Sequence, residues 1–221
     1  MWVRAVWALG LAIQLLSPRN CIAGIADGVE RSLREATVLV GSGCSGVLID
    51  GPDLVLTAAH CIGDRSSVDL RFAGGAFRTG WVGAIDHVAD QALLLLEEPV
   101  ALRPLRLTPR DPIAGSIVYF GGRPSQPSFQ EATIQRVGRC PSLPQLPNAV
   151  FTTIKGIPGD SGAPIVDGTT RLIGIVHGGA QCEIITPANT ARRLIERLLE
   201  ENTAAQAPAM PRLSSDGPPG P

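Results

Sequence analysis

Ser161 stands in the run Gly159-Asp160-Ser161-Gly162-Ala163-Pro164, a hydroxyl between small residues with an acid before it and a proline shortly after. Glycines let the backbone turn sharply and let a substrate carbonyl approach main-chain N–H groups. A hydroxyl held this way is a weak nucleophile until a neighbouring base takes its proton. The chain offers such a base upstream, His60 in Leu56-Thr57-Ala58-Ala59-His60-Cys61. A carboxylate able to hold an imidazole in one tautomer follows, Asp90 in Asp90-Gln91-Ala92-Leu93-Leu94-Leu95. Hydroxyl, imidazole and carboxylate together are the groups that nucleophilic catalysis needs.

These residues need rigid elements to bring them together, and the sequence supplies short strands. Strand-like runs cover 35–40, 44–49 and 54–59, the last delivering His60 at its end. Further runs cover 67–72, 78–85 and 92–95, then 116–122, 131–137, 149–154, 163–166, 171–176 and 184–186. Turn residues punctuate them, as in Asp50-Gly51-Pro52-Asp53 and Asp167-Gly168. Short strands broken every eight to twelve residues or so indicate a sandwich or barrel and not βαβ units. Residues 102–113 are rich in Pro and Arg and read as a connection between two halves. Residues 190–201 are the one convincing helix, with Leu194, Ile195, Leu198 and Leu199 on one face. Residues 204–221 form a Pro/Ala/Ser tail expected to be disordered.

With the three motifs in the order His, Asp, Ser, the sequence resembles the chymotrypsin/trypsin-like serine proteases, in the manner of compact bacterial members. The resemblance runs from about residue 25 to 199. It implies an all-β fold of two six-stranded antiparallel β-barrels with the active site between them, plus a C-terminal helix. Barrel one is expected over about 25–108, barrel two over 109–188, and the whole protease domain over 25–203. It implies a serine endopeptidase with His60, Asp90 and Ser161 as catalytic residues and the N–H groups of Gly159 and Ser161 as the oxyanion hole. Ile25-Ala26-Asp27-Gly28 looks like the family's mature start, whose freed α-amino group pairs with the acid before the nucleophile, here Asp160. No Arg or Lys precedes Ile25, so activation by a trypsin-like cut does not fit. The family bridges the positions of Cys44 and Cys61, which leaves Cys140 and Cys182 as the remaining pair. The usual partner of Cys182 is missing, because Ile157 stands four residues before the serine.

Specificity rests on Lys155, six residues before the serine, where trypsin-like members carry an acid. A cation there favours an acidic P1 side chain. Gly178 and Gly179 match the pocket wall and leave room for a side chain. His177 either helps bind a P1 carboxylate or contacts Asp90. The alternative function is a catalytically silent homologue that binds protein through the same groove.

The 221 residues suffice for one large all-β domain or two small ones, and the 25 glycines and 19 prolines suit many turns. A formal net charge of −1 excludes a basic nucleic-acid footprint. Residues 1–23 read as a secretory signal: Arg4, an apolar run over 5–16 broken by Gln14, then small residues that fit cleavage after Ala23 or Ala26. The alternative is a buried N-terminal helix or an uncleaved anchor. Removing Cys21 with the signal leaves four of five cysteines, an even number that favours disulfides in an exported protein. Three histidines and no acidic cluster at ligand spacing predict no metal site and no cofactor. The expected protein is a secreted or periplasmic monomer acting on proteins or peptides, without stable membrane insertion.

Overall fold

The computed structural model describes residues 18–178 and 184–206, with side chains for 27–178 and 185–201. Strands β1 (Thr37–Val40), β2 (Cys44–Leu48), β3 (Leu54–Thr57), β4 (Ser67–Arg71), β5 (Phe77–Asp86) and β6 (Gln91–Leu96) close a barrel in the order β1-β2-β3-β6-β5-β4. All its neighbouring pairs are antiparallel. The second half follows a short connection and β7 (Arg106–Leu107). Its strands are β8 (Ile117–Arg123), β9 (Gln126–Gly138), β10 (Ala149–Thr152), β11 (Pro164–Val166), β12 (Arg171–Val176) and β13 (Ile184–Pro187). They run in the order β11-β8-β9-β10-β13-β12, and a β11–β12 pairing closes them into a second antiparallel barrel. β7 adds to β12 in parallel, tying the connection to the second barrel.

Alternating apolar residues give each barrel its own interior. Val38, Leu48, Val55, Leu70 and Leu94 fill the first, and Val118, Phe120, Ile134, Val150 and Ile165 the second. The opposite faces of β2, β3 and β6, through Val47, Leu56 and Leu93, join Val166, Leu172 and Ile175 in a third cluster between the barrels. Burying two faces explains why these strands read as near-continuous apolar runs rather than strict alternation.

Two helices flank the barrels. α2 (Ala188–Gln206) contributes Leu194 and Leu198 to the shared cluster. It starts two residues before the expected helix and runs beyond position 201, into the stretch expected to be disordered. Residues 207–221 of that tail lie outside the described residues. α1 (Pro18–Ala36) is a correction to the expectation of a strand beginning at Glu35 and of a single helix. Ile22, Ile25, Val29, Leu33 and Ala36 recur at helical spacing, and Val29, Leu33 and Ala36 are buried in the shared cluster. Glu30 and Arg34 pair at 2.5 Å one turn apart. Gly121 on β8 makes room for Leu33, since a β-carbon there would sit 3.2 Å from Leu33 Cβ. The helix stops where the β-branched Thr37-Val38 begins, and the Thr37 hydroxyl donates back to the Leu33 carbonyl at 2.6 Å. The first 17 residues of the expected signal lie outside the described residues, and the rest of it is the start of α1. Among the described residues no helix is long and apolar enough to cross a membrane.

Candidate active site

Strand register brings the chemistry together from two directions. β3 and β6 pair antiparallel with Thr57 opposite Ala92. The chain leaving β3 therefore passes the chain entering β6, and His60 and Asp90 meet at that edge. A 3₁₀ turn, Ala59–Cys61, presents His60. In the second barrel Pro164 pairs with Ile175, so Ser161, just before β11, lies beside His177, just after β12.

Asp90 is the hub. It adopts φ +51°, a left-handed conformation that Asp tolerates better than most side chains. Its Oδ1 accepts the His60 main-chain N–H at 2.9 Å, and its carbonyl accepts the Ala59 N–H at 3.1 Å. Its Oδ2 receives two imidazoles, His60 Nδ1 at 2.8 Å and His177 Nδ1 at 2.5 Å. The rings stand perpendicular with centroids 5.7 Å apart. Burial of the Asp90 carboxyl works to raise its pKa, but the hydrogen bonds from His177 and His60 outweigh it and bring it down to about 2. The hydrogen bond to Asp90 raises the His60 pKa above 6.5 against partial desolvation. The His60 side chain is 45% exposed, so its far nitrogen remains open to accept a proton.

Ser161 lies at the mouth of the second barrel. Its hydroxyl donates to the His177 carbonyl at 3.4 Å, a long bond, and among the described residues it makes none to His60. Its carbonyl accepts the Ser45 N–H from β2 at 2.8 Å, fixing the loop across the barrel interface. Ser45 also donates its hydroxyl to the Gly159 carbonyl at 2.8 Å, and Thr57 donates to the Ser45 carbonyl at 2.7 Å. Gly162, at φ +85°, passes so near that a β-carbon would fall 2.0 Å from Ser45 O. Gly159 has φ +102°, and neither its N–H nor that of Ser161 has a hydrogen-bond partner among the described residues. A disulfide joins Cys44, at the start of β2, to Cys61 beside the imidazole. The residue after Asp90 carries a buried amide, Gln91, tied to the second half: its Nε2 donates to Thr186 Oγ1 at 2.9 Å, and Thr190 Oγ1 donates to its Oε1 at 2.8 Å.

The structure thus gathers His60, Asp90, Ser161, Gly159, His177 and Gly178. His177 turns its Nδ1 to Asp90, the second of the two roles open to it in the sequence. Lys155 is exposed on the segment after β10, with its backbone held by the Gln130 side chain at 2.9 and 3.1 Å. Gly179 and Cys182 lie outside the described residues, so the pairing expected of Cys182 with Cys140 is not seen; Cys140 is buried with Sγ 3.2 Å from Ser142 Oγ. Ile25, the residue expected to pair with Asp160 as a freed N-terminus, lies within α1 in this chain. Asp160 is 2% exposed; its Oδ2 accepts the Ile157 N–H at 2.7 Å, and its Oδ1 makes no hydrogen bond among the described residues. Burial raises its pKa, offset in part by the Ile157 N–H and by Arg123.

Among the described residues two clusters hold ligating atoms within 4.8 Å of one another, Cys44 with His60 and Cys61, and His60 with Asp90 and His177. The sulfurs of the first are bonded to each other, and the second is a hydrogen-bonded relay in which both Nδ1 atoms face one carboxylate oxygen. Sequence reasoning missed Ser45, Thr57, Gln91 and Arg123 as parts of this site.

The family described as trypsin-like peptidase domain matches residues 44–175, more than half of the chain. Serine protease HTRA2, mitochondrial, from Bos taurus is 30% identical over 227 aligned positions, covering 90% of this chain and 48% of that protein. The chain spans about half the length of that curated relative. The barrels, the His-Asp-Ser order and the family match agree: the chain belongs to the trypsin-like peptidase family.

Proposed function

We propose that the protein is a serine endopeptidase working through an acyl-enzyme at Ser161. As Ser161 Oγ bonds to the peptide carbonyl carbon, His60 takes the hydroxyl proton and the C=O electrons move onto oxygen. The N–H groups of Gly159 and Ser161 receive that oxyanion. Its collapse breaks the C–N bond, and His60 returns the proton to the departing amine. Water then repeats the sequence on the ester. Asp90 keeps the His60 Nδ1 protonated and favours the imidazolium that forms. The observation that carries this reading is the double anchoring of His60 to Asp90 through main chain and ring, across a cleft from an unencumbered Gly159 N–H. The Ser161 hydroxyl rests on the His177 carbonyl, a long bond that a side-chain rotation on the picosecond-to-nanosecond scale releases.

Substrates are proteins or peptides. We assign the finer preference to acidic P1 residues, drawn by Lys155 into a substrate pocket beside Gly178. The same reading has the protein exported, by the signal over residues 1–23, and acting as a monomer in the periplasm or outside the cell. An organophosphonate serine probe tests the core of it: labelling is expected in the intact chain and lost in Ser161→Ala. Folded protein that fails to label would instead be the silent, protein-binding homologue, which the missing Ser161–His60 hydrogen bond favours. A peptide library then decides specificity, with cleavage after Glu or Asp expected and cleavage after Arg or Lys excluding it.

A further inference from the structure

Arg123, the last residue of β8, reaches over the loop that precedes Ser161. Its Nη1 donates to the Pro158 carbonyl at 2.5 Å and its Nη2 to Gln126 Oε1 at 2.7 Å. The guanidinium lies against the Gly159 α-carbon, where a β-carbon would fall 2.8 Å from Nη1 and 2.9 Å from Cδ. Its Nε is buried without a hydrogen-bond partner among the described residues. Together these contacts hold the side chain as a flat plate pinned on one edge of the loop.

The Pro158 carbonyl and the Gly159 N–H belong to one planar peptide unit. In a trans peptide they point in opposite directions and cannot turn independently. Holding the carbonyl against Arg123 therefore fixes the N–H pointing away from it. A charge-assisted bond to the carbonyl oxygen also polarises the unit and makes the N–H a better donor. Ser45 grips the next carbonyl, that of Gly159, from the first barrel. The peptide that carries the oxyanion donor is thus clamped on both sides. At a glycine with φ +102° such a clamp matters, because glycine itself imposes little preference on the orientation of its peptide.

We infer that Arg123 is a positioning residue for the oxyanion donor Gly159, supplying from within the chain the cation that orders this loop. The same guanidinium charge acts on buried Asp160. The inference rests on the reading of Ser161 as nucleophile for its kinetic consequence, but not for its structural one.

The test compares Arg123→Ala, Arg123→Gln and Arg123→Lys in the full chain. With a peptide amide substrate, kcat of the Ala and Gln variants is expected to fall about 10²-fold, the scale of losing one oxyanion donor, while KM moves little. Lys keeps charge but not the planar fork, so it falls between them and the parent. Methylguanidinium added to Arg123→Ala restores part of kcat. Independently of activity, the amide resonance of Gly159 in ¹⁵N-labelled protein is expected to shift and broaden in Arg123→Ala. A parent that turns over no substrate and takes up no serine probe defeats the proposed function, and the Gly159 resonance still decides the positioning claim. An unmoved Gly159 resonance in Arg123→Ala, or a kcat within about twofold of the parent, overturns the role assigned to Arg123.

Discussion

Replacing Asp90 by Asn should change how stability depends on pH in a direction the hub geometry fixes. The Asp90 pKa drops from 3.8 to about 2 on folding, because two imidazoles and a main-chain N–H bind its charged form despite burial. A carboxylate with a depressed folded pKa stabilises the protein above its unfolded pKa and loses that stabilisation as pH falls through the folded one. Nearly two pKa units at about 1.4 kcal/mol each give about 2.5 kcal/mol, and the small exposure of this side chain, 8%, leaves little solvent screening to discount. His60 runs the other way. Its pKa is raised above 6.5, so its contribution is complete below 6.5 and fades as pH rises through the folded value. The stability difference between parent and Asp90→Asn should therefore be widest between pH about 4 and about 6.5 and shrink on both sides. Urea unfolding from pH 2 to 8, with both chains carrying Ser161→Ala to prevent self-digestion, measures it. A difference that stays constant from pH 5 down to 2 would show that the two imidazoles do not bind the charged carboxylate, and the hub would have to be abandoned.

Activity should follow a different curve from stability. Catalysis needs His60 neutral, so kcat/KM should rise with an apparent pKa above 6.5, and a limb centred below that value would contradict the raised pKa. Gly162→Ala adds a methyl 2.0 Å from Ser45 O and 2.7 Å from Thr57 Oγ1 at φ +85°. Backbone strain, overpacking and a broken buried hydrogen bond together should cost at least about 4 kcal/mol, read as loss of soluble folded protein or of most of its thermal stability. Replacing both Cys44 and Cys61 by Ser opens a loop of sequence separation 17 and should cost about 3 kcal/mol in urea unfolding; an unchanged midpoint would mean that the unfolded chain gains nothing from the bridge.

The strands were legible because short apolar runs stand between strong turn signals, as at Asp50-Gly51-Pro52-Asp53 and Asp167-Gly168. His60, Asp90 and Ser161 were legible because each sits in a local motif, and strand register then brings His60 to Asp90 and Ser161 to the same edge. α1 was hidden by Gly24 and Gly28 inside its span and by a start that resembles a mature N-terminus. Its apolar spacing was nonetheless present, and packing on β8 and the shared cluster outweighed the glycines. Arg123, Ser45 and Gln91 carried no local signal at all. Their contacts span 35, 114 and 95 residues of sequence, and only the closed barrels create them.

The Gln91 amide has a bearing on how the molecule accommodates what it binds. Rooted in the first barrel, it is satisfied wholly by the last strand and terminal helix of the second half, at 0% exposure. Any hinge motion that parted the halves would strand its donors and acceptors in an apolar seam, at about 1–3 kcal/mol per orphaned group. The halves should accordingly travel as one rigid body, so that discrimination among ligands falls to the loops around the rim and not to jaw-like closure.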